Sequence, residues 1–85
     1  MAIEMLYFAW VREAIGVGSE RVDPPVEVNS VSDLITWLAG RSEGHARAFA
    51  DRARLRAAVD QHFVPLDASL GRAGEVALFP PVTGG

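Results

Sequence analysis

The chain contains no cysteine and no lysine. Without thiols there is no disulfide, no thiolate metal site and no cysteine nucleophile. All eight basic residues are arginine, so no lysine of this chain can receive an acyl group as an isopeptide. No apolar run approaches the length needed to cross a bilayer. Ile3 to Trp10 carries Glu4 and runs at once into Arg12-Glu13, which is not the pattern of a signal peptide. The expectation is a cytoplasmic protein with no membrane contact. The net charge is −3 and the arginines are scattered, apart from Arg52, Arg54 and Arg56. That distribution has no nucleic-acid footprint.

Catalytic constellations are also missing. His45 and His62 stand alone, with no second histidine or carboxylate at metal-ligand spacing. Both are expected at the surface or partly buried, with no catalytic role. No serine sits in a nucleophile-elbow context, and Ser30 reads as a helix cap. The carboxylates are spread evenly, with no pair fixed on one predicted face. Gly16-Val17-Gly18 lacks the helix and spacing of a phosphate-binding loop and reads as a turn.

What is present is a short chain with an ordinary core. Eighty-five residues, 49% of them hydrophobic, make one small globular domain. One layer of helices on one sheet fits that length, with little room for a deep cleft. This favours a carrier, a binding module or a subunit over a self-sufficient enzyme.

Ala2 to Ala9 reads as a strand. Ile3, Met5 and Tyr7 point one way, and Glu4, Leu6 and Phe8 the other. Glu4 turns the second face to water and makes Leu6 and Phe8 candidates for an exposed apolar patch. Arg12 to Ile15 reads as a short helical turn stopped by Gly16 and Gly18. Glu20 to Val28 is extended but broken by Pro24-Pro25, as at a sheet edge. Ser30, with Asp33 three residues on, caps the clearest helix. Its Val31, Leu34, Ile35 and Leu38 form one apolar stripe, ended by Gly40. A weaker helix is expected from about Gly44 to Arg54, with Ala46, Phe49, Ala50 and Ala53 on one side. Leu55 to Asp60 and His62 to Leu66 read as strands joined at Asp60-Gln61. Glu75 to Phe79 is the last strand, with Val76 and Leu78 on one face and Ala77 and Phe79 on the other. Pro80 and Pro81 end it. The order β, β, α, α, β, β, β implies a two-layer α+β domain, a mixed sheet with the main helix across one face. The β-grasp, or ubiquitin-like, roll is one member at this length.

The chain finishes Phe79-Pro80-Pro81-Val82-Thr83-Gly84-Gly85. A Gly-Gly end buries nothing and is entropically costly to order. It is also the thinnest peptide available, able to carry a carboxylate into a narrow pocket of another protein. The residues alone leave two readings: a tail whose terminal carboxylate reacts, or an ordinary frayed end.

Gly74 to Gly85 resembles the C-terminal signature of the small, sulfur-carrying subunits of molybdopterin synthase. Leu6-Tyr7-Phe8-Ala9-Trp10-Val11-Arg12-Glu13-Ala14-Ile15-Gly16 resembles that family's first strand and the run after it. Val31, Leu34, Leu38 and Ala58-Val59-Asp60-Gln61 agree through the middle. Two positions depart: Asp60 stands where the family usually has Asn, and Gly74 lies one place from the family's turn glycine. Both bear on turn geometry rather than on the tail.

The resemblance implies a single β-grasp domain over residues 1–85 with a flexible tail at 80–85. It implies that the Gly85 carboxylate is adenylated by an activating enzyme using ATP and Mg, the chain itself binding no cofactor or metal. A sulfur donor then converts Gly85 to a thiocarboxylate, which donates sulfur to a cyclic pyranopterin in the large subunit, within a heterotetramer. Gly84, Thr83, Val82, Pro81, Pro80, Phe79, Phe8 and Phe63 are the implied partner contacts. A carrier for thiamine or cysteine synthesis, a ubiquitin-like modifier, and an interaction domain with an inert tail are the other readings.

Overall fold

A computed structural model of the chain describes residues 2–81. Five strands form one sheet: β1 (Ile3–Tyr7), β2 (Ser19–Val22), β3 (Arg56–Val59), β4 (His62–Val64) and β5 (Glu75–Phe79). Their order across the sheet is β2-β1-β5-β3-β4. The central pair, β1 and β5, is parallel, with Met5 opposite Val76 and Tyr7 opposite Leu78. All other pairings are antiparallel. A parallel pair cannot be closed by a tight turn. The chain between these strands supplies the helices α1 (Ala9–Ile15), α2 (Val31–Ala39) and α3 (Glu43–Ala48), a 3-10 turn at Arg52–Arg54, and the other three strands. This is the β-grasp roll.

The period-two reading of the first and last strands holds. Ile3, Met5, Tyr7, Val76 and Leu78 are all buried, and Leu6, Ala77 and Phe79 lie on the opposite, open face. The α2 stripe joins the same core: Val31, Leu34, Ile35 and Leu38 are fully buried. Ser30 caps that helix by accepting from the Asp33 amide at 3.0 Å, and Gly40 ends it.

Several boundaries differ from the sequence reading. The first strand stops at Tyr7, and Ala9 already belongs to α1. Ala9 takes φ 52°, a left-handed conformation that turns the chain sharply and that nothing in an Ala residue advertises. The expected short turn is therefore a seven-residue helix, anchored by buried Val11 with Trp10, Ala14 and Ile15 packed beside it. The second strand ends at Val22, and Val26 is 87% exposed, because Pro24-Pro25 removes two ladder donors.

The predicted 44–54 helix is two pieces, α3 and the 3-10 turn. Its buried side is His45, Ala48 and Phe49, while Ala46, Ala50 and Ala53 are exposed. The phase is set by Ser42, whose hydroxyl accepts from the His45 amide at 3.1 Å. Alanine is small enough for either face, so its spacing carried no information. The two late strands are shorter than expected: β3 leaves out Leu55 and Asp60, and β4 leaves out Pro65 and Leu66.

Helix α1 packs directly on α3, and Gly44 makes the approach possible. A Cβ on Gly44 would fall inside van der Waals contact of the Ala14 backbone carbonyl oxygen. Backbone on both sides leaves no soft partner to yield. We predict that Gly44→Ala lowers stability by about 2 kcal/mol through this overpacking, outweighing a gain of about 1 kcal/mol in helix propensity. Urea unfolding checks this; a midpoint unchanged or raised would contradict it.

Candidate functional site

Strand β5 leads to the tail, and the fold holds both its ends. At its start the hairpin between β3 and β4 turns on Asp60 and Gln61, both with positive φ (48° and 71°), the geometry of a two-residue type I′ turn. Asp and Asn both tolerate the left-handed region. The Asp60 amide donates to the Glu75 carbonyl at 2.9 Å. Asp60 Oδ1 accepts from the amides of Gly74 and Glu75, each at 3.0 Å. A single carboxylate oxygen does what an asparagine oxygen would do, so Asp60 keeps the turn. A Cβ on Gly74 would meet only Asp60 Oδ1, at an ordinary 3.7 Å, so the displaced glycine leaves it intact too.

At its far end β5 reaches Phe79, paired with Arg56. Pro80 and Pro81 follow and cannot extend the ladder. Val82, Thr83, Gly84 and Gly85, named above as site residues, lie outside the described residues.

Around the tail root the open face of the sheet is apolar. Register places Leu6, Ala77, Ala58 and Phe63 in one row across four strands. Phe79 stands one row nearer the tail, and its ring meets that of Phe63 at 5.8 Å between centroids, inclined 60°. Phe8 sits on the β1 side, one residue beyond the Tyr7–Leu78 pair. Phe63 is 84% exposed and Phe8 49%. The three phenylalanines singled out from sequence thus share one face and one end of the sheet. Glu4 and Glu75 occupy the other end of that face.

A groove of about 300 Å³ lies beside this aromatic pair, lined by Arg56, Ala57, Phe63, Val64 and Phe79. Sequence reasoning noted Arg56 only as one of three clustered arginines. The signal for its placement was the alternation Leu55 in, Arg56 out, Ala57 in. A second concavity, about 330 Å³ beside Pro24 and Pro25, has no titratable side chain in its lining. Among the described residues no three His, Asp or Glu side chains gather to hold a metal ion.

Under the same end of the sheet lies a partly buried polar network. Tyr7 donates its hydroxyl to Glu20 Oε2 at 2.7 Å. His45 Nε2 lies 2.7 Å from the same oxygen, which makes Nε2 the protonated nitrogen. His45 Nδ1 meets the Ser42 hydroxyl at 2.6 Å. Arg41 stands 3.8 Å from Glu20 Oε1.

His45 is 7% exposed. It is more enclosed than sequence suggested, and the fold gives it a carboxylate partner from 25 residues away. The Ser42, His45 and Glu20 order resembles a nucleophile relay. Its Ser42–His45 contact is instead the local geometry of a helix cap. His62 is exposed, as expected.

Burial pushes the Glu20 carboxyl up, but hydrogen bonds from His45 and Tyr7, with positive charge at His45 and Arg41, outweigh it. The net effect holds Glu20 below the usual carboxylate range. Burial, and then the hydrogen bond to Glu20 and its charge, push the Tyr7 hydroxyl far above its ordinary value.

The chain matches the ThiS family over residues 5–85. It is 41% identical to the molybdopterin synthase sulfur carrier subunit of Escherichia coli (strain K12), covering 98% of this chain and 99% of the relative. It is 34% identical to the subunit of the same name in Mycobacterium tuberculosis, covering 98% of this chain and 96% of that one. Among solved structures, SAMP1 from Haloferax volcanii superposes with a TM-score of 0.72 at 26% identity, covering all of both chains. A second crystal structure, of H. volcanii small archaeal modifier protein 1, gives 0.66 at 26% identity, covering 95% of this chain and 98% of that one.

The Glu20 network has a pH signature. A carboxyl whose folded value is depressed stabilises the fold above its unfolded value, here ordinarily 4.5, and loses that contribution as pH falls through the lowered folded value. Glu20→Gln is expected to be less stable than the wild type at neutral pH, and the gap should close as pH falls below 4.5 and through the lowered folded value. Paired urea titrations across that range check it; a gap that stays constant or widens in acid would contradict it.

Proposed function

We propose a function on one premise: this chain belongs to the ThiS family, in company with molybdopterin synthase sulfur carrier subunits. It is a sulfur carrier of molybdenum cofactor biosynthesis. The observation that carries the finer reading is the ring pair of exposed Phe63 and half-buried Phe79 at the root of the tail. Exposed aromatics of this kind are where a protein partner docks. The body supplies a rigid address, and the reactive group is the carboxylate of Gly85.

The chemistry follows from what a carboxylate cannot do. Its oxygen is not a leaving group, so an activating enzyme, consuming ATP with Mg, joins it to the α-phosphorus and releases pyrophosphate. Hydrosulfide supplied by the sulfur donor then attacks the acyl carbon and AMP departs, leaving a thiocarboxylate on Gly85. The thiocarboxylate is ionised at neutral pH and nucleophilic at sulfur. Gly84 and Gly85 carry no Cβ, so the sulfur can enter a narrow pocket without a clash. In the large subunit of molybdopterin synthase the sulfur bonds to an oxygen-bearing carbon of cyclic pyranopterin monophosphate as that carbon's bond to oxygen breaks, the oxygen leaving as water or with the phosphate. Water cleaves the acyl–sulfur bond and returns the carboxylate. Two such transfers make the dithiolene. The groups that position and protonate the pterin belong to the large subunit, and the working assembly is a heterotetramer. Pro80 and Pro81 stiffen the tail as it leaves the sheet, while Phe8, Phe63 and Phe79 set its direction.

Likeness to the Haloferax volcanii modifier supports a second reading. In it the same acyl-adenylate is attacked by a lysine amine of another protein, giving an isopeptide instead of a thiocarboxylate.

Intact mass after incubation with ATP, Mg, a sulfur source and the activating enzyme separates the two. The carrier reading predicts a rise equal to the difference between sulfur and oxygen. An unchanged mass would overturn it, and adducts on target lysines would favour the modifier. Appending one residue after Gly85 is expected to abolish molybdopterin formation with no change in the thermal melt. Full activity of the untrimmed, extended chain would contradict a terminal-carboxylate mechanism.

A further inference from the structure

The groove at the tail root is not purely apolar. Arg56 forms one wall, and its guanidinium is held in place: Nη1 donates to the carbonyls of Leu55 at 2.8 Å and Ala53 at 3.2 Å. Both contacts use one nitrogen, which leaves Nη2 and Nε without a hydrogen-bond partner among the described residues. Arg54 is fixed nearby, its guanidinium 5.0 Å from the centre of the Trp10 ring. Arg54 and Arg56 are both exposed. Among the described residues neither is paired with a carboxylate, whereas Arg21 pairs with Glu4 and Arg41 with Glu20. A chain of net charge −3 thus presents unpaired, pre-positioned positive charge beside its exposed phenylalanines.

Covering that face with a partner would strip water from Arg56. An arginine buried without an anion is strongly unfavourable, as when one partner of a buried ion pair is removed. A partner that covers Phe63 and Phe79 must therefore bring an acid to this point. The guanidinium fork is suited to a carboxylate held by two parallel hydrogen bonds.

We propose that the groove beside Arg56, Phe63 and Phe79 receives an acidic side chain of the molybdopterin synthase large subunit, bound by Arg56 while flanking apolar residues pack on the two rings. The proposal rests on the sulfur-carrier reading above and adds the chemistry of the docking contact. Because Arg56 pairs with Phe79, the last strand residue before Pro80, the acid contact lies at the point where the tail departs. Arg54, exposed and held over Trp10, adds positive charge that steers the encounter by long-range attraction.

The test is binding of the full chain to the large subunit from the same organism, measured by surface plasmon resonance at about 50 and about 300 mM salt. Arg56→Gln is expected to weaken binding about tenfold at low salt, with a flatter dependence on salt than the wild type. Arg56→Glu should weaken it further. Arg54→Gln should mainly slow association. Phe63→Ala should weaken binding while keeping the wild-type salt dependence. The substituted side chains are exposed, and thermal melts of each variant confirm folding.

Arg56→Gln binding within about twofold of wild type, with the same salt dependence, would overturn the acidic contact while leaving the carrier reading in place. A wild-type chain that does not bind the large subunit at all would overturn the reading beneath it. Sedimentation supplies the last arm. Wild-type self-association lost in Arg56→Glu would assign the groove to the Glu4–Glu75 end of a second copy and overturn the proposal.

Discussion

Everything in this molecule depends on the parallel pairing of β1 with β5. It joins the first and last strands at the centre of the sheet, with Met5 opposite Val76 and Tyr7 opposite Leu78, all four buried. A parallel pair needs a long crossover, and that crossover contains the rest of the domain. The same pairing decides where the tail leaves. Strands running side by side end at the same edge, so Phe79 and Pro80 emerge next to Phe8 and the start of α1. Antiparallel β3 brings Arg56 to that edge from the other side. Asp60 then fixes the register of β5 from below through three hydrogen bonds. Pro80 and Pro81 thus follow directly from a central strand of the sheet.

The two faces of the sheet divide the labour. One is closed by α2 and α3 over an apolar core, with the Tyr7, Glu20, His45 and Ser42 network sealing the edge beneath the tail. The other is left open, apolar near the tail and acidic at the opposite end. The network is a structural clamp: it ties β1, β2 and α3 at the place where β1 must hold β5. Glu20 points toward the core from an edge strand. It is tolerated there because hydroxyl, imidazole and guanidinium all meet it. In the proposed function this stiffness is what a carrier needs. Its reactive group lies at the end of a tail, and only a firm base can present that tail repeatedly to different partners.

The sequence was most readable where one periodicity had a single interpretation. Alternation in the first and last strands placed Phe8 and Phe79 on the open face, and the Ser30–Asp33 cap with its stripe placed α2. The Gly-Gly end drew attention because the rest of the chain offered no chemistry. Reading failed where the deciding interaction was distant or the residues were neutral. Glu20 and His45 meet across 25 residues, and neither predicts the other. Ala9 turns the chain at φ 52° with no glycine to mark it. Ala46, Ala50 and Ala53 mimicked an apolar stripe, although the true buried side of α3 holds His45, Ala48 and Phe49. The groove escaped notice because Arg56 looked like part of a basic run until β3 and β5 were paired.

The central claim is that the open face at the tail root is the surface a partner covers, with the body otherwise untouched. Nuclear magnetic resonance of the isotopically labelled chain, titrated with the large subunit of molybdopterin synthase, tests it directly. The account predicts that amide and side-chain shifts move at Leu6, Phe8, Arg56, Ala58, Phe63, Ala77 and Phe79, while those of α3 and the Pro24–Asn29 loop stay in place. Shifts centred on α3 or that loop, with Phe63 and Phe79 unmoved, would contradict it.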